Sequence, residues 1–177
     1  TPDSARYLLD SGVDVITTGN HSFRRRESYD LYDSCEVLLR PANYPAAAPG
    51  RGLCVVDMGR VQVGVINLMG TAFMESLRCP FETLDSLLKT PGLPKVVVVD
   101  FHAEATSEKG AMGYYLDGRA QAVWGHPHPC PHRRRANSPQ GAGLCHRPGY
   151  DRPGRERAGH PAGAGRQPLS GRAAPPL

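Results

Sequence analysis

Val13-Asp14-Val15-Ile16-Thr17-Thr18-Gly19-Asn20-His21 is a short apolar run that ends in a glycine and two metal-capable side chains. Val13, Val15 and Ile16 are β-branched and suit the interior of a strand. Gly19 is expected to let the backbone turn sharply and approach a ligand closely. Asn20 offers a carbonyl oxygen, a hard donor for a divalent ion, and His21 offers an imidazole. Three such residues at the carboxyl end of a buried strand fit a metal-binding turn. They equally fit a strand-to-loop turn with a polar cap, because short motifs are unspecific.

The flanking sequence places this strand in an α/β pattern. Thr1–Ser11 reads as a helix with Pro2 at its first turn, Ala5, Leu8 and Leu9 on one face, and Gly12 as its stop. Arg24 to Cys35 reads as a second helix, with Tyr29, Tyr32 and Cys35 turned inward. Arg24-Arg25-Arg26 either meets phosphate or forms a solvated face. Leu38–Pro45 is a short strand entering a proline-fixed loop. Leu53–Met58 and Val61–Leu68 flank Gly59-Arg60 as a hairpin. A helix follows over 81–88. Lys95–Val99 holds four consecutive valines, the pattern of a central strand covered on both faces. That strand delivers Asp100-Phe101-His102-Ala103-Glu104, so a second strand ends in a histidine with carboxylates at hand to orient it. A helix over 107–116 and a strand over 120–124 complete the pattern.

Charge divides the chain. Residues 1–124 carry twelve basic and fifteen acidic residues, a balance of −3, whereas 125–177 carry nine Arg, no Lys and two acids, a balance of +7. Overall basicity is therefore no argument that the folded part binds nucleic acid. Five widely spaced cysteines with no C-x-x-C fit neither a zinc ribbon nor a disulfide framework, and the expected setting is the reducing cytoplasm. No membrane span or signal peptide is expected.

Several stretches resemble a known family: S-G-V-D-V-I-T-T-G-N-H, L-R-P-A-N-Y-P, V-I-N-L-M-G, V-D-F-H-A-E-A-T-S-E-K and G-R-A-Q-A-V-W-G. Over residues 1–125 the chain resembles the YmdB-type calcineurin-like metallophosphoesterases, bacterial 2′,3′-cyclic nucleotide phosphodiesterases. The resemblance implies an α/β fold, a two-layer β-sandwich flanked by helices, here incomplete. It implies a dinuclear centre of two metal ions, iron or manganese. Asn20 and His102 are then metal ligands, and His21 is the general acid that protonates the leaving oxygen. Arg40 and Asn43 are expected to border the substrate. The implied partner is a small cyclic nucleotide or related phosphodiester, with room for an indirect link to RNA regulation and for homo-oligomers, but no membrane.

Two departures from the family stand out. The family begins with a strand ending in G-D and then a G-E-N segment, and this sequence starts after both. At Gly125 the family continues G-T-H-T-H, where this chain has Gly125-His126-Pro127-His128. His126 and His128 are thus metal-ligand candidates one residue out of step, between prolines that restrict the backbone. Residues 125–177 hold ten Pro, nine Gly and nine Arg but no Val, Ile, Phe or Met, too little apolar surface to fold. Read from the second base of each codon in a GC-rich gene, Gly125–Pro139 permits G-T-H-T-H-V-P-T-A-D-A-R-I-L-P. Leu144–Pro153 permits Y-V-T-D-L-G-M-T-G-P. Both are family-like strings, as one inserted base near codon 125 would produce. The expected organisation is a partial phosphoesterase domain over 1–124 and a disordered, out-of-frame tail over 125–177. The alternatives are an inactive remnant, or a non-enzymatic nucleic-acid binder acting through the arginines of the tail.

Overall fold

The computed structural model describes residues 1–127 and 143–146, with backbone alone from 126 onward. The hairpin over Gly59 forms as the sequence predicts. Strand β3 (Leu53–Asp57) pairs antiparallel with β4 (Gln62–Met69). Gly59 takes a φ of +78°, which only glycine adopts without strain, and its N–H donates to Asp57 Oδ1. Beyond β4 the sheet becomes parallel: β5 (Val96–Ala103), β6 (Ala122–Pro127) and β7 (Gly143–His146) follow in order. Helix α3 (Pro80–Leu88) links β4 to β5, and helix α4 (Thr106–Tyr115) links β5 to β6. Parallel neighbours require such crossovers.

The core lies between this sheet and its two helices. Ile66, Leu68, Val97, Val99, Phe101 and Ala103 share one face and pack with Leu84, Met112 and Leu116. Fully burying each large side chain contributes about 1.5–3 kcal/mol. The other face of β5 is covered only in part. Val96 and Val98 are half-buried, while Asp100 and His102 are buried. The expectation of cover on both sides therefore holds for the carboxyl half of β5 alone.

That cover is a second, two-stranded parallel sheet. Strand β1 (Ile16–Thr17) pairs with β2 (Leu38–Leu39). Helix α1 (Pro2–Asp10) precedes it, capped by Thr1 and stopped at Gly12, whose φ is +90°. Leu8, expected on the inner face of α1, is exposed, and Ala5 alone of the helix is buried. The second predicted helix is shorter than its periodicity implies: a 3-10 turn over Arg26–Ser28 leads into α2 (Tyr29–Ser34). Arg24, Arg25 and Arg26 lie on its exposed side.

The boundary expected after residue 124 falls inside the sheet. Strand β6 runs on to Pro127, and Gly143–His146 adds a parallel edge strand. Ladder hydrogen bonds are made by the backbone, so a strand can join an edge without the apolar side chains a core needs. The rest of the expected tail, with His128, lies outside the described residues. Among the described residues no helix is long and apolar enough to cross a membrane.

Candidate functional site

The carboxyl ends of β1 and β5 meet, and each delivers one donor. Asn20 Oδ1 lies 3.0 Å from His102 Nε2. An amide oxygen only accepts, so in this arrangement Nε2 carries the proton. His102 is buried, Asn20 half-buried, and His21 exposed. The two strand-end signals therefore converge although 82 residues separate them.

Gly19 makes the convergence physical. An added Cβ there would come within 2.3 Å of the His102 ring. Its φ is not in the left-handed region, so the glycine is needed for space against the imidazole and not, as its sequence context implied, for an unusual turn.

The turn itself is built by residues the motif reading passed over. Ser22 N–H donates to the Gly19 carbonyl at 3.0 Å, and Ser22 Oγ reaches the same oxygen at 2.6 Å. Thr18 Oγ1 donates to the Leu39 carbonyl at 2.8 Å and accepts from Tyr32 Oη at 3.2 Å. Asn67, fully buried in β4, spends both amide protons on the Thr18 and Leu39 carbonyls at 2.8 and 3.0 Å. It thereby ties the small sheet to the large one just below Asn20. Its Oδ1 is buried without a hydrogen-bond partner among the described residues. An amide between Ile66 and Leu68 in an apolar strand was the one available signal for this role.

Arg40 and Asn43, expected to border the substrate, are buried and hydrogen-bonded to backbone groups. The Arg40 guanidinium is buried and donates to the carbonyls of Pro41, Ala48 and Pro49. Burial lowers its pKa, and the nearby Arg78 lowers it further. Asn43 has no exposed surface. It donates to the Met69 and Arg78 carbonyls and accepts from Met69 N–H at 2.9 Å. Both side chains brace the loop after β2, because buried backbone groups must find partners.

The acids after His102 also divide their work. Glu108, in the first turn of α4, accepts from Thr71 N–H at 2.9 Å and Ala72 N–H at 3.3 Å. Gly70 leaves room for that carboxylate, since a Cβ there would meet Glu108 Oε2 at 2.2 Å. His126 is the β6 register partner of His102.

Tyr44 joins the two loops flanking the site. Its hydroxyl donates to Glu75 at 3.3 Å, and its ring meets Phe23 edge-on at 5.2 Å. Burial, with Glu75 as a second cause, pushes its pKa up to about 12. Because the folded value lies above that of free tyrosine, near 10, the stabilisation is complete below pH 10. It is lost as pH rises from about 10 to about 12. A tyrosinate absorbance titration should show one late step near pH 12, absent from Tyr44→Phe; a wild-type curve without that step would contradict this environment.

Asn20 Oδ1 and His102 Nε2 are a hard oxygen and an imidazole nitrogen, donors that suit manganese, iron or zinc. Such an ion takes about four to six ligands, so these two atoms alone could supply only part of a metal's coordination. Among the described residues no group of three or more His, Cys, Asp or Glu converges to complete it.

Comparison with known proteins gives the family and the fold. The chain is 45% identical over 127 residues to the 2′,3′-cyclic-nucleotide 2′-phosphodiesterase of Bacillus subtilis, spanning 68% of this chain and 47% of that protein. A hypothetical protein from Thermus thermophilus superposes with a TM-score of 0.75 at 39% identity, over 80% of this chain and 56% of that one. A Mycoplasma pneumoniae phosphatase superposes with a TM-score of 0.72 at 27% identity, over 81% and 53%. The chain thus spans about half the length of these relatives. A family model described as YmdB-like protein matches residues 1–130, and with a mixed α/β fold shared with its solved relatives this chain belongs to the YmdB-like family.

Proposed function

We propose that this chain carries part of the active site of a metal-dependent phosphodiesterase acting on 2′,3′-cyclic nucleotides or related phosphodiesters. The observation that carries the reading is the 3.0 Å approach of Asn20 Oδ1 to His102 Nε2 beside an exposed His21. The Bacillus subtilis relative is named for hydrolysis of this substrate class. Asn20 and His102 would hold metal, His102 through Nε2 with its ring proton carried on Nδ1. Two bound cations, iron or manganese, would neutralise the phosphodiester and make hydroxide available at neutral pH. In this reading the imidazole of His21, the exposed residue directly after Asn20, hands a proton to the leaving alkoxide. Gly19, Ser22 and Asn67 hold that turn still.

Two of the remaining ligands, the histidines of G-T-H-T-H, come in this reading from the frame that residues 125 onward have lost. Two things support it: the family match ends at residue 130, and the composition changes at the same place. In the present frame His126 and His128 stand one residue away from the family's histidines, so this chain binds metal weakly and turns over slowly.

The test compares the chain with a version in which one base is removed near codon 125. Manganese-dependent hydrolysis of a 2′,3′-cyclic nucleotide is expected to rise at least tenfold on reframing. It should vanish with chelator and fall by roughly 10²–10⁴-fold in His21→Ala, the usual range for a general acid. Hydrolysis that survives chelation and His21→Ala would sink the proposal.

A further inference from the structure

The opposite end of the large sheet holds a cleft of about 440 Å³, in the size range of small-ligand sites. It lies beside the amino ends of β5 and β6 and the carboxyl end of α3. Lys95 in its wall stands just before β5, and His102 near the strand's other end is about 23 Å away in extended chain. Leu93, Pro94 and Val97 form the apolar part of the cleft. Lys89, Lys95 and Arg119 bring three cations, against Asp85 as the one acid among its described lining residues. This excess of positive charge sits in a stretch, residues 1–124, whose overall balance is −3.

The cations are held in place before any ligand arrives. Arg119 Nη2 donates to Asp85 Oδ1, and Tyr115 Oη donates to Asp85 Oδ2 at 2.8 Å. The Arg119 guanidinium also lies 4.7 Å from the centre of the Tyr115 ring, which Phe81 meets edge-on at 5.1 Å. The hydrogen bonds from Arg119 and Tyr115, then the charges of Arg119 and Lys89, hold the Asp85 carboxyl below its usual value, so Lys89 is within electrostatic reach of the pair. Asp85 answers one cation. Lys89 and Lys95 are exposed and make no ion pair among the described residues. The loop that joins them is stiff: Pro91 and Pro94 each fix a φ, Gly92 supplies a φ of +80°, and Leu93 N–H donates to the Thr90 carbonyl at 3.2 Å.

We infer that this cleft is a second ligand site, for a small molecule bearing a phosphate dianion, with the phosphate among Lys89, Lys95 and Arg119 and the apolar body on Leu93 and Pro94. Two uncompensated positive charges match a dianion, whereas one carboxylate would leave a cation unanswered. A phosphate monoester carries about −1.5 to −2 charge near pH 7. A guanidinium engaged by Asp85 at one nitrogen keeps further N–H donors, in the planar fork that suits phosphate oxygens. No residue of the cleft belongs to the Asn20–His102 site, so the inference stands apart from the phosphodiesterase reading.

The probe is phenylphosphonate, a dianion at pH 8 whose carbon–phosphorus bond resists hydrolysis. It is titrated into the full chain in EDTA and followed by amide proton–nitrogen spectra, which locate the binding. Saturable shifts are expected at the amides of Gly92, Leu93, Lys95 and Arg119. Lys89→Gln and Lys95→Gln should weaken binding roughly threefold each and about tenfold together. Both side chains are exposed, so these variants are expected to fold, and unchanged thermal melting would show it. Benzoate, with the same ring and one charge, should bind about fivefold more weakly. Shifts confined to the turn at Asn20 or to the arginines beyond residue 125, or binding unchanged in the double variant, would overturn the assignment. Benzoate binding as tightly as phenylphosphonate would overturn the choice of a dianion.

Discussion

Gly19→Ala is expected to break the site while leaving most of the fold. The new methyl would overlap the His102 ring at 2.3 Å, so one of the two must move. The backbone at Gly19 is pinned by Ser22 on one side and, through Thr18, by Asn67 on the other. The imidazole is therefore the group that yields, swinging away from Asn20. Overpacking of this kind costs about 1–3 kcal/mol of stability. The effect on metal should be larger, because a donor is lost and not merely weakened: manganese affinity is expected to drop roughly 100-fold, the upper end of what disturbing even an outer-shell partner costs. Histidine ring resonances and manganese-induced line broadening report both consequences. His102 signals that stay where they are in wild type, with broadening intact, would contradict the packing described here.

Asn43→Ala is expected to act in the opposite way, on stability alone. The substitution removes the Asn43 partner of Met69 N–H and of the Met69 carbonyl, both buried, and of the part-buried Arg78 carbonyl. Each stranded buried group costs about 1–3 kcal/mol, so a loss of roughly 3 kcal/mol or more is expected, about 6–12 °C in melting temperature for a domain of this size. Asn43→Asp should fare little better, since a carboxylate has no protons for the two carbonyls. Whatever fraction folds should bind nucleotide as wild type does. A variant that melts normally but binds its nucleotide weakly would restore Asn43 to the substrate-facing role its loop position suggested.

Much of the architecture was legible because it is local. The hairpin needed only alternating apolar residues around Gly59-Arg60. Helices α3 and α4 lie within one residue of their expected limits, since proline, spacing and stop signals sit inside the segments themselves. The second helix came out shorter, because Tyr29, Tyr32 and Cys35 mark an inward side without fixing where regular turns begin. At the site, Asn20, His21 and His102 could be picked from strand-end patterns and family motifs.

Other roles had no local signature. Asn67 looks like a blemish in an apolar strand until Thr18 and Leu39 appear beneath it. Arg40 and Asn43 carry the chemistry of ligand binding, yet their donors are used up by carbonyls from other parts of the chain.

The sequence by itself determined the alternation of strands and helices and the family, and it singled out Asn20 and His102 as a candidate pair. Each of these follows from spacing along the chain or from residue type. Only the tertiary structure decided that those two side chains meet, that Gly19 makes room for the imidazole, and that Asn43 braces the carbonyls of Met69 and Arg78. Those outcomes depend on which distant carbonyl or ring comes to lie opposite a side chain, and hydrogen bonding and excluded volume act on that distance alone.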